Sequence, residues 1–277
     1  MIKFFRRIRQ QLLAENKFTK YLVYAAGEII LVVIGILIAL YINDQNTIQL
    51  NREKEEQYIL DIRRDLARQI EAIDKQLEIE DKIIENCDIV LSSFLEKNTL
   101  VIDTALARSI GITTVRRTFR NTNPAYQELI SSGNIVLLSD KEFKERLVNY
   151  YFELERTEEI ITNNNDRLTD QVYLKSILEL VPHDQRETFK IVFKEYPRQY
   201  DVSDPLSVEN RNKLLEISSK ILQDDSKQMH LINLLTTRKT VAFSHAFLLM
   251  EFKQQTKEMI RSTDAYYDSK LPSAETK

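Results

Sequence analysis

Apolar positions follow two regimes along this chain. From Tyr21 to Ile42 they are nearly continuous, YLVYAAGEIILVVIGILIALYI, 22 residues carrying one charge, Glu28. Beyond Ile42 they recur three or four residues apart among charges of both signs. At about 1.5 Å per residue the first run makes a helix of roughly 33 Å, enough to cross a hydrocarbon core. The spaced regime predicts amphipathic helices that bury one stripe and hydrate the rest.

The first amphipathic helix is predicted over Arg52–Phe94, following a short polar exit at Asn43–Asn51. Its stripe reads Ile59, Ile62, Leu66, Ile70, Ile73, Leu77, Ile84, Cys87, Leu91 and Phe94, with a slip near Glu80. A coiled coil between copies and a bundle within one chain both fit such a stripe. Residues 97–122 break the pattern, apart from a short helix near Asp103–Ile110. Asn123 then suits an N-cap, Pro124 the first helical position and Gly133 a left-handed stop. After the apolar link Ile135–Leu138, Ser139–Glu142 reads as a capping box. The helix it opens places Phe143, Leu147, Tyr150, Leu154, Ile161, Leu168 and Val172 on one stripe. Asn164 and Asn165 interrupt that stripe, as a bend or as a polar core position. Pro182 stops the pattern, and helical pieces follow at His183–Lys194 and Leu206–Leu222. A last helix over Ser226–Tyr267 turns Leu231, Leu235, Ala242, Ala246, Leu249, Phe252 and Met259 inward.

These elements predict an all-α protein: one N-terminal transmembrane helix continuing into a long coiled-coil-like stalk and an elongated periplasmic helical bundle. The expected segments are a basic amphipathic stretch at 1–20, the span at 21–42, the stalk at 43–98, the helical domain at 99–268 and a disordered tail at 269–277. Only four Gly and five Pro occur in 277 residues, which favours long helices over hairpins.

Charge sets the expected orientation. Residues 1–20 hold six Lys/Arg and one Glu, and a formal −3 for the whole chain then leaves −7 for residues 43–277. Basic before the span and acidic after it predicts a cytoplasmic N-terminus and a periplasmic domain on the bacterial inner membrane. Ile2, Phe5, Ile8 and Leu12 share a face, so the basic segment is expected to lie on membrane lipid. The span is longer than a signal-peptide core, and Ala39-Leu40-Tyr41-Ile42 offers no cleavage site, so it reads as an uncleaved anchor. Val241–Met250 is a shorter apolar run, interrupted by Ser244 and His245. The lone Cys87 forms no intrachain disulfide and is expected to be a buried helix residue.

Within the span, Glu28, Leu31, Gly35, Ala39 and Ile42 share one stripe. Gly35 and Ala39 permit close helix approach, and a carboxyl on the same stripe can bond across the contact. Glu28, Gly35 and Ala39 are therefore candidate transmembrane contact residues; Glu28 could alternatively reach the interface or act as a proton relay. Elsewhere no catalytic pattern emerges. His183, His230 and His245 lack ligand spacing, and there is no phosphate-cradling Gly loop or nucleophile elbow. No catalytic, cofactor or metal residues are assigned, no enzyme activity is expected, and mixed charges beyond Ile42 give no nucleic-acid surface. Phe119, Tyr126, Phe143, Tyr150, Tyr151 and Phe152 read as core aromatics, with Tyr126, Tyr150 and Tyr151 the candidate lining of a small pocket.

The span sequence Glu28–Leu40, the motif Tyr126–Ile135 (YQELISSGNI) and Arg146–Tyr151 (RLVNYY) together resemble a family of uncharacterised single-span membrane proteins from Gram-negative bacteria. The resemblance covers roughly residues 1–175. Members carry a Trp in an Asn-rich exit from the membrane, whereas here the exit is Tyr41-Ile42-Asn43-Asp44-Gln45-Asn46. The resemblance implies a topology and a helical fold, and no activity. The leading expectation is a non-enzymatic, membrane-anchored periplasmic scaffold or accessory subunit that acts through helix–helix association, as a homo-oligomer or with a multi-span membrane partner. A periplasmic ligand-sensing domain and a stator-like subunit using Glu28 in proton coupling are the alternatives.

Overall fold

The computed structural model describes residues 18–97, 99–183 and 206–270, and every regular element among them is helical. The basic segment up to residue 17, the piece expected over 183–194 beyond its first residue, and the tail from residue 271 lie outside the described residues. The chain divides into two units, 1–57 and 58–277.

Helix α1 runs Phe18–Lys97, 80 residues without a break. The polar exit at Asn43–Asn51, expected to separate span from stalk, is itself helical. It has no Gly or Pro to end a helix, and its polar side chains bond along the turn. Thr47 Oγ1 donates to Asn43 O at 2.9 Å and Gln49 Nε2 to Glu53 Oε1 at 2.9 Å. In the first unit the apolar side chains stay uncovered on every side of α1: Ile29, Leu31, Val32, Leu37 and Ile42 are all more than half exposed. This is a helix long and apolar enough to cross a membrane, with none of its apolar window buried.

The second unit is built on the pairing of α1 with the last helix, α6 (Asp225–Lys270). Buried positions of α1 include the series Glu55, Ile59, Ile62, Leu66, Gln69, Ile73, Gln76, Glu80, Ile83, Cys87 and Val90, with Asp65, Ile79 and Asn86 buried beside it. The spacing of that series alternates three and four, a heptad repeat, and the three residues beside it sit at the flanking position of the same heptad. The slip expected near Glu80 is therefore absent. Gln69, Gln76 and Glu80 occupy core positions, so a stripe traced only through apolar residues jumps sideways to Ile70, Leu77 and Ile84. Helix α6 repeats the pattern through Leu231, Leu235, Arg238, Ala242, His245, Leu249, Phe252, Thr256, Met259, Thr263 and Tyr266, all buried. Ion pairs Arg63–Asp264, Asp74–Lys253 and Asp88–Lys239 link the helices antiparallel in one register. Exposed pairs of this kind contribute about 0–1 kcal/mol each, so they mark the register more than they hold it.

The described residues of the unit also form α2 (Thr104–Thr113), α3 (Pro124–Ser131), a 3-10 turn at Asn134–Leu137, α4 (Lys141–Asn164) and α5 (Val208–Ile221). Two caps differ from expectation. The Asn123 side chain makes no cap bond; instead buried Asp65 of α1 accepts from Ala125 N at 3.0 Å, capping α3 from a neighbouring helix. Helix α4 is capped by Asp140, whose carboxylate accepts from Phe143 N at 2.9 Å, not by Ser139. Ser139 is taken elsewhere, its backbone N–H donating to Tyr266 Oη at 3.1 Å. The Phe143 N–H also holds the Asp140 carboxyl below its ordinary range. Gly133 sits at φ 72°, the left-handed stop its residue type predicts. The turn after it is tied to α1, because Asn134 Nδ2 donates to Tyr58 Oη at 2.9 Å.

Helix α4 also departs from its predicted stripe. Phe143, Leu147, Tyr150, Leu154 and Ile161 are buried as expected, but Leu168 and Val172 are exposed. From Asn165 to Leu174 the chain winds as a π-helix, continuing into Lys175–Ile177. The wider turn carries every fourth residue inward, so Asn165, Thr169, Tyr173 and Ile177 are the buried set. Asn165 is thus a polar core position in a continuous helix.

Apolar burial forms two clusters within this unit. One joins Ile59–Ile73 of α1 to α3, α4 and the Leu249–Tyr266 half of α6; the other joins Ile79–Val90 to α2, the Tyr173–Val181 stretch, α5 and the Leu231–Ala242 half. Cys87 lies in the second. Burial pushes its thiol from an ordinary 9.0 up to about 12, against the pull of the Arg238 guanidinium. A thiol kept protonated stabilises the fold fully below pH 9, and that contribution is lost as pH rises toward 12. The expected outcome is that Cys87 resists alkylation by iodoacetamide in native protein at pH 8 and labels fully in urea. Rapid labelling of native protein would contradict its burial.

Candidate functional site

Ionisable side chains enter the α1–α6 seam at two levels, Glu80 with His245 and then Arg238, and both are set by the heptad. At the first, His245 Nδ1 lies 3.3 Å from Glu80 Oε1, with neither side chain more than 3% exposed. Gln76 Nε2 also donates to Glu80 Oε1 at 2.8 Å, the i,i+4 geometry of one helix face. The same amide reaches Arg117 O at 3.3 Å, and Asn165 Nδ2 reaches that carbonyl at 3.3 Å from the π-helical turn. Four elements therefore converge here: α1, α6, the π-helix and the extended segment after α2. Glu80 Oε2 and His245 Nε2 remain without hydrogen-bond partners.

At the second level Arg238 is 2% exposed, placed one heptad before His245 and against Cys87. Its Nε donates to Thr113 O at 3.0 Å and its Nη2 to Val115 O at 2.9 Å. Those carbonyls lie at and just beyond the C-terminus of α2, where the helix dipole favours a cation and the last carbonyls lack helical partners. Thr113 Oγ1 in turn hydrogen-bonds Tyr173 Oη of the π-helix. Burial raises the Tyr173 phenol above its ordinary value, with the Thr113 bond opposing. Arg238 Nη1 is left unpartnered.

The aromatic residues proposed as pocket lining are brought together by the structure. Tyr126 stacks on Tyr151 with ring centroids 3.9 Å apart, Tyr151 meets Tyr150 edge-on at 5.0 Å, and Tyr150 stacks on Phe252 at 5.2 Å. Tyr150 Oη pairs with Thr256 Oγ1 at 3.1 Å, while buried Tyr151 Oη has no partner. Burial raises both phenols. The rings fill the space between α3, α4 and α6 by packing on one another.

In the first unit, Gly35 and Ala39 are exposed along α1 and Glu28 is half-buried. A Cβ added at Gly35 meets nothing within 4 Å. No group of three or more His, Cys, Asp or Glu side chains that could hold a metal ion occurs among the described residues.

Sequence reasoning passed over Gln76, Glu80, Arg238 and His245. A heptad count allowing polar residues at core positions would have found them. Residues 28–185 match the profile of a protein family described only as being of unknown function, while no curated protein and no solved structure matches the chain. The matched stretch carries the α1 heptad, the Gly133 turn and the π-helix. Helix α6, which supplies Arg238 and His245, lies beyond it.

Proposed function

We propose that this chain, which belongs to the family DUF6090 of unknown function, works as a non-enzymatic, membrane-anchored scaffold or accessory subunit that associates through its span. The observation that supports this reading is the bare surface of α1 around Gly35. Its neighbours Leu31 and Ile42 are 69% and 62% exposed, and nothing among the described residues occupies the notch that Gly35 leaves. A small residue beside a second small residue, Ala39, gives a partner helix close backbone approach. The seam at Ile59–Val90, which the sequence also offered for association between copies, is covered by α6 of the same chain. That cover favours the first unit as the associating surface. The charge asymmetry about the span supports a single-pass protein of a Gram-negative inner membrane, with its N-terminus cytoplasmic and its second unit periplasmic. The partner is then a second copy or a multi-span membrane protein.

The test is cysteine crosslinking in native membranes, with substitutions one at a time at Gly35, Ala39 and Ile42 on one face and Val33 and Leu37 on the other. Crosslinks are expected on the first face only, and the mass of the product tells a second copy from another protein. Gly35→Leu should reduce the Ala39→Cys crosslink by about tenfold or more, because the side chain fills the notch. It should leave thermal unfolding of the second unit unchanged. Monomeric, partner-free behaviour at every position would sink the proposal.

A further inference from the structure

We infer that a cleft between α1 and the segment Arg117–Arg120 binds a phosphate-bearing anion. This site lies wholly in the second unit and does not depend on association through the span. The cleft encloses about 380 Å³, within the range of small-molecule sites. On one wall Arg68, Ala72 and Lys75 share a face of α1, and the surface falls to a methyl group at Ala72. Arg117 and Arg120 form the facing wall, and Glu71 is the single carboxylate in the lining. The lining thus brings four cationic side chains and one carboxylate together in a chain whose formal charge is −3.

The second wall is fixed from behind. Phe119 is 2% exposed in one core cluster, and Val115 is buried in the other, so the segment spans both. Between them the Arg117 carbonyl is held by Gln76 and Asn165, each buried and each at 3.3 Å. The backbone carrying Arg117 and Arg120 is therefore anchored while both side chains are exposed. No carboxylate pairs with either guanidinium among the described residues. Arg68 is ion-paired with buried Asp65 at 3.6 Å, so Arg117 and Arg120 are the cations left to meet an anion. Clustered cations on low-dielectric walls concentrate anions, and guanidinium forks match phosphate oxygens in pairs. A diphosphate and a phospholipid headgroup share that chemistry and suit a cleft of this volume.

The experiment uses the full chain in phosphatidylcholine nanodiscs, titrated calorimetrically with inorganic pyrophosphate. In a second arm the same particles are sedimented with phosphatidylglycerol or phosphatidylcholine vesicles. The double variant Arg117→Gln, Arg120→Gln changes exposed side chains only, so its melting curve should match the parent. Pyrophosphate binding that weakens at least tenfold in the variant supports a soluble phosphate ligand. Sedimentation with phosphatidylglycerol alone, lost in the variant, supports a headgroup. Absence of binding in both arms, or binding unchanged by the substitutions, overturns the inference.

Discussion

Replacing Arg238 with methionine is expected to destabilise the second unit by about 3 kcal/mol or more, although methionine fills a similar volume. The loss comes from what the guanidinium leaves behind. Thr113 O and Val115 O would remain buried with no donor, at the end of a helix that already lacks partners for its last carbonyls. Each buried orphan of this kind costs roughly 1–3 kcal/mol. Arg238→Lys is expected to recover only part of the loss. An ammonium is a compact point charge on a shorter reach and cannot hold two carbonyls with a planar fork. Urea unfolding of the detergent-solubilised protein, followed by circular dichroism at the helical band, measures both variants. A methionine variant as stable as the parent would show that the carbonyls find other donors.

Glu80 and His245 should behave as a coupled pair. Glu80→Leu alone removes the carboxylate facing His245 Nδ1 and one of the two acceptors that Gln76 Nε2 uses, and the expected loss is about 3–5 kcal/mol. Adding His245→Leu removes the stranded partner and places two apolar side chains in a heptad core. The double variant should therefore be markedly more stable than the sum of the singles, with a coupling of roughly 0.5–3 kcal/mol. Polar residues at such positions fix register at a cost in stability. The double variant is accordingly expected to form the Asp74→Cys, Lys253→Cys disulfide less completely than the parent seam does. Additive single effects would remove the case for coupling.

The helical class and the membrane-length run were legible because continuous and spaced apolar patterns have different physical consequences, and little else in the chain opposes them. Where the reading failed, polar residues were standing in for apolar ones. Gln69, Gln76 and Glu80 hid the α1 heptad, Arg238 and His245 hid that of α6, and the π-helical turn moved the inward set from Leu168 and Val172 to Thr169 and Tyr173. The caps failed differently. Asn123 and Ser139 are good cap residues locally, but Asp65 arrives from 60 residues away and Tyr266 from 127. Local propensity has no access to such partners. The candidate contact residues Glu28, Gly35 and Ala39 were visible as a stripe because a lone acid and small side chains stand out in an apolar helix. The cations of the cleft were not, since Arg68 and Arg117 are distant in sequence and meet only through the fold.

The strict pairing of α1 with α6 also governs the order in which this protein can be made. The register bonds join residues separated by 151 and 179 positions, so half of the seam leaves the ribosome long before the other half exists. Until residues 225–270 follow, the face of α1 that meets α6 is covered only in part, by α2, α3 and α4, and such a surface aggregates or recruits chaperones during synthesis. A fragment ending with the family-matched stretch at residue 185 would lack the α6 half of both clusters. The core of the matched region is complete only with that last helix in place.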